Sequence, residues 1–331
     1  MSGRLRLAER RFAQDDAEIY NKKVATFLID NLNYRNNCFL LMRLLPTDYY
    51  FTEDELMKLT EAEKMDRLRA AGLLDNVFVQ LMRFYKGLLR FDFGTSTRIQ
   101  SGVAVTEVIA SKVVVSLKLG TIALCFSLVV GVIIGVFSAL FKGGLVDKLG
   151  TAYAIFTNAV PELVSYSLVL IFGSRVVGLP SLYSVRRPVI SAVLPVVCLA
   201  FPSIANDILW TRRYMVDELN KDYLKLAKLK GMKESTIMFK HVLRNAFVPI
   251  AQNIPGYFLL TISGSLLVER FFSVPGMGPL LADAIARYDT NVVQALVMLY
   301  ATLGVMGVFL GDVLMAIIDP RISLTDRGDV R

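Results

Sequence analysis

Five stretches of this chain, residues 113–141, 150–173, 189–210, 247–272 and 292–318, are almost wholly apolar. Each is long enough to cross a hydrocarbon core, which takes about 20 residues in helical form. A backbone in that environment must satisfy its own hydrogen bonds, so the sequence reads as an all-α, polytopic membrane helix bundle. With 54% hydrophobic side chains and a mean hydropathy of +0.50, the 331 residues are too apolar for a soluble domain with a solvated surface. Every run also holds small or kinking residues: Gly131 and Gly135; Pro161; Pro195 and Pro202; Pro255 and Gly264; Gly304, Gly307 and Gly311. Small residues let helices approach closely, and neighbouring helices re-satisfy groups freed by proline, so one packed bundle is expected.

The formal net charge of +8 raises a nucleic-acid reading, but the basic residues crowd the ends of the apolar runs. That distribution fits membrane topology and excludes nucleic acid as the expected partner. Between Thr211 and Ala246 stand nine Lys/Arg and only four acids, Asp217, Glu218, Asp222 and Glu234. Such an excess marks the cytoplasmic side. From it, 247–272 runs outward and 292–318 runs back in. The 142–149 connection is then cytoplasmic, and 174–188 and 273–291 are external, against which Arg175, Arg186 and Arg187 weigh mildly.

The same topology puts 46–111 outside, as a small helical region; TEDELMKLTEAEKMDRLRAAG has capping and helix-forming character. A sixth crossing is then needed before Pro46. The segment available, 24–45, carries Asp30, Asn31, Asn33, Arg35, Asn36 and Asn37 at its centre. An Asp or Arg at mid-bilayer costs about 2.5–3.5 kcal/mol, so this is a poor membrane helix. Three explanations stay open: a first helix that is absent, one stabilised by partner helices, or a non-native start before Cys38. The expected organisation is an atypical N-terminus over 1–45, an external region over 46–111, a transmembrane domain over 112–319 and a cytoplasmic tail over 320–331. The charged start also argues against a cleavable signal peptide.

Cys38, Cys125 and Cys198 are far apart and suggest neither disulfide nor metal spacing. His241 is the only histidine, and a lone histidine is expected to be structural. Lys118 sits early in a spanning run, where it can snorkel to the interface. Glu269 and Asp312 lie near segment ends, where an acid either pairs with a neighbour or marks a substrate path. Arg212 and Arg213 either enforce topology or contact a partner. Neither a GxxxxGK[ST] loop nor a nucleophile–base pair is present, so no catalytic residue and no ATP hydrolysis are expected of this chain. Paired intramembrane charges and inverted repeats, which a stand-alone secondary transporter or channel would want, are not found either.

The segment 222–250, DYLKLAKLKGMKESTIMFKHVLRNAFVPI, is ordered and helical in character, and reads first as a docking surface. Residues 222–230 suit a short helix with Tyr223, Leu226 and Ala227 on one face. Gly231 suits a left-handed C-cap, and a second helix from about Glu234 would lead into the next membrane run. This segment resembles the EAA loop of binding-protein-dependent ABC importer permeases, and most closely the dipeptide/oligopeptide (nickel) subfamily. Asp222, Tyr223, Ala227, Lys230 and Gly231 match its D-Y…A…K-G half. His241, Leu243, Arg244, Asn245, Ala246 and Pro249 match the R-H-x-L-R-N-A…P half, with Arg213 and Glu218 on the approach. VERFFSVPGMGPLLADAIARYD matches further through Glu269, Phe272, Pro275, Gly276, Gly278 and Asp289, and DVLMAIIDPRI through Asp312, Asp319, Pro320 and Arg321. FLLMRLLP and RFDFGTS extend the likeness to 38–324, with Phe91 and Thr47 replacing the usual glycines.

The resemblance implies a permease subunit in the prokaryotic cytoplasmic membrane, C-terminus inside, with no cofactor of its own. Its implied partners are a second homologous permease, two ATPase subunits that bind ATP and Mg, an external solute-binding protein and the lipid bilayer. ATPase coupling falls to Asp222, Tyr223, Ala227, Lys230, Gly231, His241, Arg244 and Asn245. Glu269, Pro275, Gly276 and Gly278 become candidates for the path or for contact with the binding protein.

Overall fold

The computed structural model describes residues 53–318 except Ala71 and Phe91, together with scattered positions between 25 and 51. Most of 24–45, and the tail beyond Ile318, therefore lie outside the described residues. The expectation of an all-helical chain holds among the described residues, where an isolated Thr95–Ala104 bridge is the one extended pairing.

From residue 53 on, three short helices come first: α1 (Glu53–Lys58), α2 (Glu61–Ala70) and α3 (Val77–Leu89). Thr60 and Glu63 open α2 with a capping box, Thr60 N–H donating to Glu63 Oε2 at 2.8 Å and Glu63 N–H to Thr60 Oγ1 at 3.4 Å. Then follow α4 (Val105–Leu140), α5 (Leu145–Ala159), α6 (Glu162–Arg175), α7 (Pro188–Leu219) and α8 (Asp222–Leu229). The chain continues through α9 (Glu234–Thr236), a π-helical segment (Ile237–Val242), α10 (Leu243–Ser263), α11 (Leu266–Phe271), α12 (Met277–Ala286) and α13 (Thr290–Ile318).

Helix α4 is built inside out. From Ala123 on, its buried positions are small or hydroxylic (Ala123, Ser127, Gly131, Gly135, Ser138, Ala139), while Ile122, Phe126, Val129, Ile133 and Phe137 are exposed. Water would penalise that arrangement; lipid would not, and the small seam admits neighbours at backbone distance. A Cβ on Gly131 would lie 2.4 Å from Asp207 Cβ, and one on Gly135 2.6 Å from Thr211 Cβ. These contacts advance together along both helices, so α4 and α7 run parallel. Gly120 meets Thr261 and Gly264 meets Ser116, which makes α10 antiparallel to α4. Gly307 meets Gly256 and Gly311 meets Gln252, which turns α13 back again.

Among the described residues three helices are by themselves long and apolar enough to cross a membrane: Val105–Leu140, Pro188–Leu219 and Thr290–Met315. The expected single helix over 150–173 is instead the pair α5 and α6, bent by 117°. Pro161 sits at the break with φ −54° and ψ 136°, an extended conformation that ends α5. The run at 247–272 likewise stops early, because Gly264 takes φ +69° and α11 starts afresh behind a Ser265 cap.

Candidate functional site

At the end of the bundle where α7 gives way to α8, a short lever is folded onto a carboxylate. Glu218, in the last turn of α7, is 6% exposed. Its Oε1 accepts from Tyr223 Oη at 2.6 Å and from Asn245 Nδ2 at 2.9 Å, and its Oε2 pairs with Lys221 Nζ at 2.8 Å. Asn245 Nδ2 also reaches Tyr223 Oη at 3.1 Å. One buried group thus ties together the end of α7, the start of α8 and the first turn of α10. Burial, then the adjacent Glu218 carboxylate, push the Tyr223 phenol up to about 12.

Apolar packing holds the same joint. Leu224 is buried with Ala139, Met215, Ile237, Val242 and Ala246. A π turn reaches five residues along the chain, which is how Ile237 and Val242 come to share one inward face. The sequence places Leu226 on the inner face of α8, and the structure corrects this. Leu224 takes that place beside Tyr223 and Ala227, while Leu226 is 61% and Leu229 83% exposed. Positions 223, 224 and 227 and positions 223, 226 and 227 each span about 100° of arc, so helix geometry allows either face. The packing of Leu224 against α4, α7 and the π-helical segment decides.

Gly231 closes α8 as the sequence suggests. Its φ is +75°, with Gly231 N–H donating to Lys228 O at 3.0 Å and Met232 N–H to Ala227 O at 3.3 Å. That bond pair is a Schellman cap. Asp222 and Lys230 lie exposed on the outer surface, Asp222 holding Lys225 at 2.7 Å. His241 lies in the π-helical segment, its Nε2 buried without a hydrogen-bond partner among the described residues. With Arg244, Lys240 and Lys221 it lines a cleft of about 810 Å³ that extends to Ile318 of α13. Of the eight residues expected to couple to an ATPase, Tyr223 and Asn245 meet directly, His241 and Arg244 share the cleft with them, and Asp222, Ala227, Lys230 and Gly231 shape α8.

Arg212 is held inside the chain, donating through Nε to Asp147 Oδ1 at 2.5 Å and through Nη2 to Oδ2 at 2.9 Å. Arg213 lies over the Trp210 ring, 5.2 Å from its centroid. Glu218 and Asp147 were not singled out as site residues. In the sequence Glu218 stands beside Asp217 on the approach to the loop, whereas the Asp147–Arg212 pairing spans 65 positions and leaves no local signal.

The opposite end carries a second constellation. Glu269, 1% exposed, accepts from Ser116 Oγ at 2.6 Å and from Gly278 N–H at 2.7 Å. Ser116 Oγ in turn accepts from Met277 N–H at 2.7 Å. Gly276 and Gly278 are there because nothing larger fits: a Cβ on Gly276 would lie 2.4 Å from Glu269 Oε2, and one on Gly278 2.5 Å from Leu266 N. Pro275, half-buried, opens that turn. Nearby, the fully buried Asp289 gathers the N–H groups of Thr97, Arg98 and Ile99, at 2.9–3.1 Å, and the Ser96 hydroxyl at 2.6 Å on one oxygen. Burial pushes that carboxyl up, but these donors outweigh it and hold it below the usual range. Asp312 belongs to neither group: late in α13, towards the α8 end, it accepts from Gln252 Nε2 at 3.2 Å.

Residues 131–324 match the family described as the binding-protein-dependent transport system inner membrane component. The chain is 34% identical over 224 residues to the oligopeptide transport system permease protein AmiC of Streptococcus pneumoniae, a match covering 66% of this chain and 44% of that protein. It is 30% identical over 290 residues to the dipeptide transport system permease protein DppB of Lactococcus lactis, covering 86% of this chain and 92% of that one. The oligopeptide transport system permease protein OppB of Haemophilus influenzae is 31% identical over 286 residues, with the same two coverages.

Proposed function

From the premise that this chain belongs to the family of binding-protein-dependent transport system inner membrane components, we propose that it is the transmembrane subunit of an ATP-driven importer of peptides. Relatives named for dipeptide and oligopeptide transport support the solute class, and nickel or another small solute is the alternative within the same family. The chain pairs with a second homologous permease above two ATPase subunits, where ATP and Mg are bound, and an external solute-binding protein delivers the solute.

The observation that carries this reading is α8. It is a capped helix braced on Glu218, with Leu226 and Leu229 bare at its surface and lysines around them. A rigid knob of that kind fits a cleft on an ATPase subunit and transmits its closure as a rigid-body motion, driving alternating access. The helix directions support five crossings. Parallel α4 and α7 require one return between them, supplied by α5 and α6 as a broken span, while α10 and α13 provide the last two. The α8 end is then cytoplasmic together with the C-terminal tail, and α1–α3 are external.

Reconstitution tests the proposal. With the partner permease, ATPases and binding protein present, peptide uptake is expected to need ATP. Gly231→Asp is expected to abolish it while membrane insertion persists. Uptake driven by an ion gradient without the ATPases would reject the reading in favour of a stand-alone transporter.

A further inference from the structure

Beyond the middle of α7 a carboxylate is buried without its full set of partners. Asp207 is 7% exposed, and its Oδ2 has no hydrogen-bond partner among the described residues. An ionisable group inside a membrane bundle is costly and marks a functional position when nothing neutralises it. Close packing keeps it there: a Cβ on Gly131 would lie 2.4 Å from Asp207 Cβ, so α4 backs the side chain.

Asp207 lines a cavity of about 400 Å³ between α4, α7, α10 and α11, within the range of about 300–1,000 Å³ usual for small-molecule sites. The same cavity presents Ser127, Asn206, Tyr257 and Thr261, and no Lys, Arg or His lines it. Its other acid, Glu269, has both oxygens engaged by Ser116 and Gly278. Asp207 Oδ2 remains an unused acceptor, set against Gly131 of α4 beside a cavity that hydroxyl and amide groups line. Among the described residues no group of three His, Cys, Asp or Glu could hold a metal ion. A primary ammonium, with three donors on one nitrogen, satisfies one carboxylate and two neutral acceptors at once.

We propose that Asp207 receives the primary ammonium group of the solute as it crosses this cavity. Resting on the peptide-importer reading above, that group is the N-terminal amine of a peptide. Asp207 is then a substrate-binding residue of the path, and selects for a free amine independently of the binding protein.

The test uses the assembled permease–ATPase complex in nanodiscs, without binding protein. The probe is a lysine-free tripeptide with a benzophenone side chain, either free or acetylated at its N-terminus. Photolabelling is mapped by mass spectrometry onto α4, α7 and α10. The free form is expected to label wild type about tenfold more than the acetylated form, as befits one charge-assisted hydrogen bond. Asp207→Asn is expected to bring the ratio to about one, with the acetylated signal unchanged. Asp207→Ser, less bulky, is read in the same way should the first variant fail to assemble. Equal labelling of wild type by the two forms, or a ratio that survives either variant, overturns the proposal. Protection by sodium but not by methylamine would also overturn it. ATP-dependent uptake of the free tripeptide in proteoliposomes with binding protein separates the two readings. No uptake by wild type sinks the importer, whereas uptake with an unaltered labelling ratio sinks the ammonium site alone.

Discussion

At Gly231 conformation alone sets tolerance, because a Cβ there would meet nothing within 4 Å and only its φ of +75° resists substitution. Gly231→Asn is therefore expected to cost a few tenths of a kcal/mol, Gly231→Ala about 1 kcal/mol, and Gly231→Val more still. Thermal unfolding of the detergent-solubilised complex ranks them, and a flat series would show that the cap does not govern the loop. Tyr223 supplies a pH signature. Its folded-state proton is held to about 12, above the ordinary phenol near 10. The folded chain thus keeps a proton that the unfolded chain releases, and stability is lost as pH rises through that window. Tyr223→Phe is expected to flatten this loss in alkaline unfolding curves, and a variant as pH-sensitive as wild type would contradict it. At this scale the sequence was uneven. The Lys-Gly ending of α8 announced its cap, but apolar residues at 223, 224, 226, 227 and 229 left the buried face ambiguous in so short a helix. Asp207 escaped notice because a single acid barely alters the apolar character of 189–210.

Among elements, the tie between the 96–99 turn and the start of α13 is the firmest that sequence could not supply, its partners lying some 190 positions apart. Three successive N–H groups aimed at one carboxylate oxygen form a nest, and removing the anion leaves them buried and unpaired. Asp289→Ala is expected to cost on the order of 3 kcal/mol and to speed hydrogen exchange at Thr97, Arg98 and Ile99. Unchanged exchange would show that the turn is held by other means. Since donors hold the Asp289 carboxyl below its usual range, its contribution is present at neutral pH and fades as pH falls through the carboxylate range. Element boundaries were legible where chemistry is local, as in the Thr60–Glu63 capping box. They were not at Gly264, where the apolar run resumes at once, or at Pro161, since a proline inside a membrane run can kink a helix as well as end it.

For the whole molecule, helix direction follows from where glycines meet. Gly135→Ala would drive a Cβ to 2.6 Å from Thr211 Cβ and 3.0 Å from Ile208 O, whereas Gly304→Ala meets nothing within 4 Å. The first is expected to destabilise by about 1–3 kcal/mol and the second to be silent in thermal unfolding. Equal effects would undo the close-packed seam. Sidedness has its own check: in a chain with its three cysteines replaced, Lys142→Cys is expected to label from the cytoplasm and Val177→Cys from outside. Labelling from one side would mean that α5 and α6 together do not cross. One arrangement ties both ends of the bundle together. The helices that leave the Glu218 brace are α7 and α10, and the same two carry Asp207 and Tyr257 into the cavity. From Glu218 back to Asp207 is about 16 Å of helix, and from Leu243 on to Tyr257 about 21 Å. On the proposed reading, a displacement of α8 would be applied to the handles of a pair of tongs whose jaws flank that cavity.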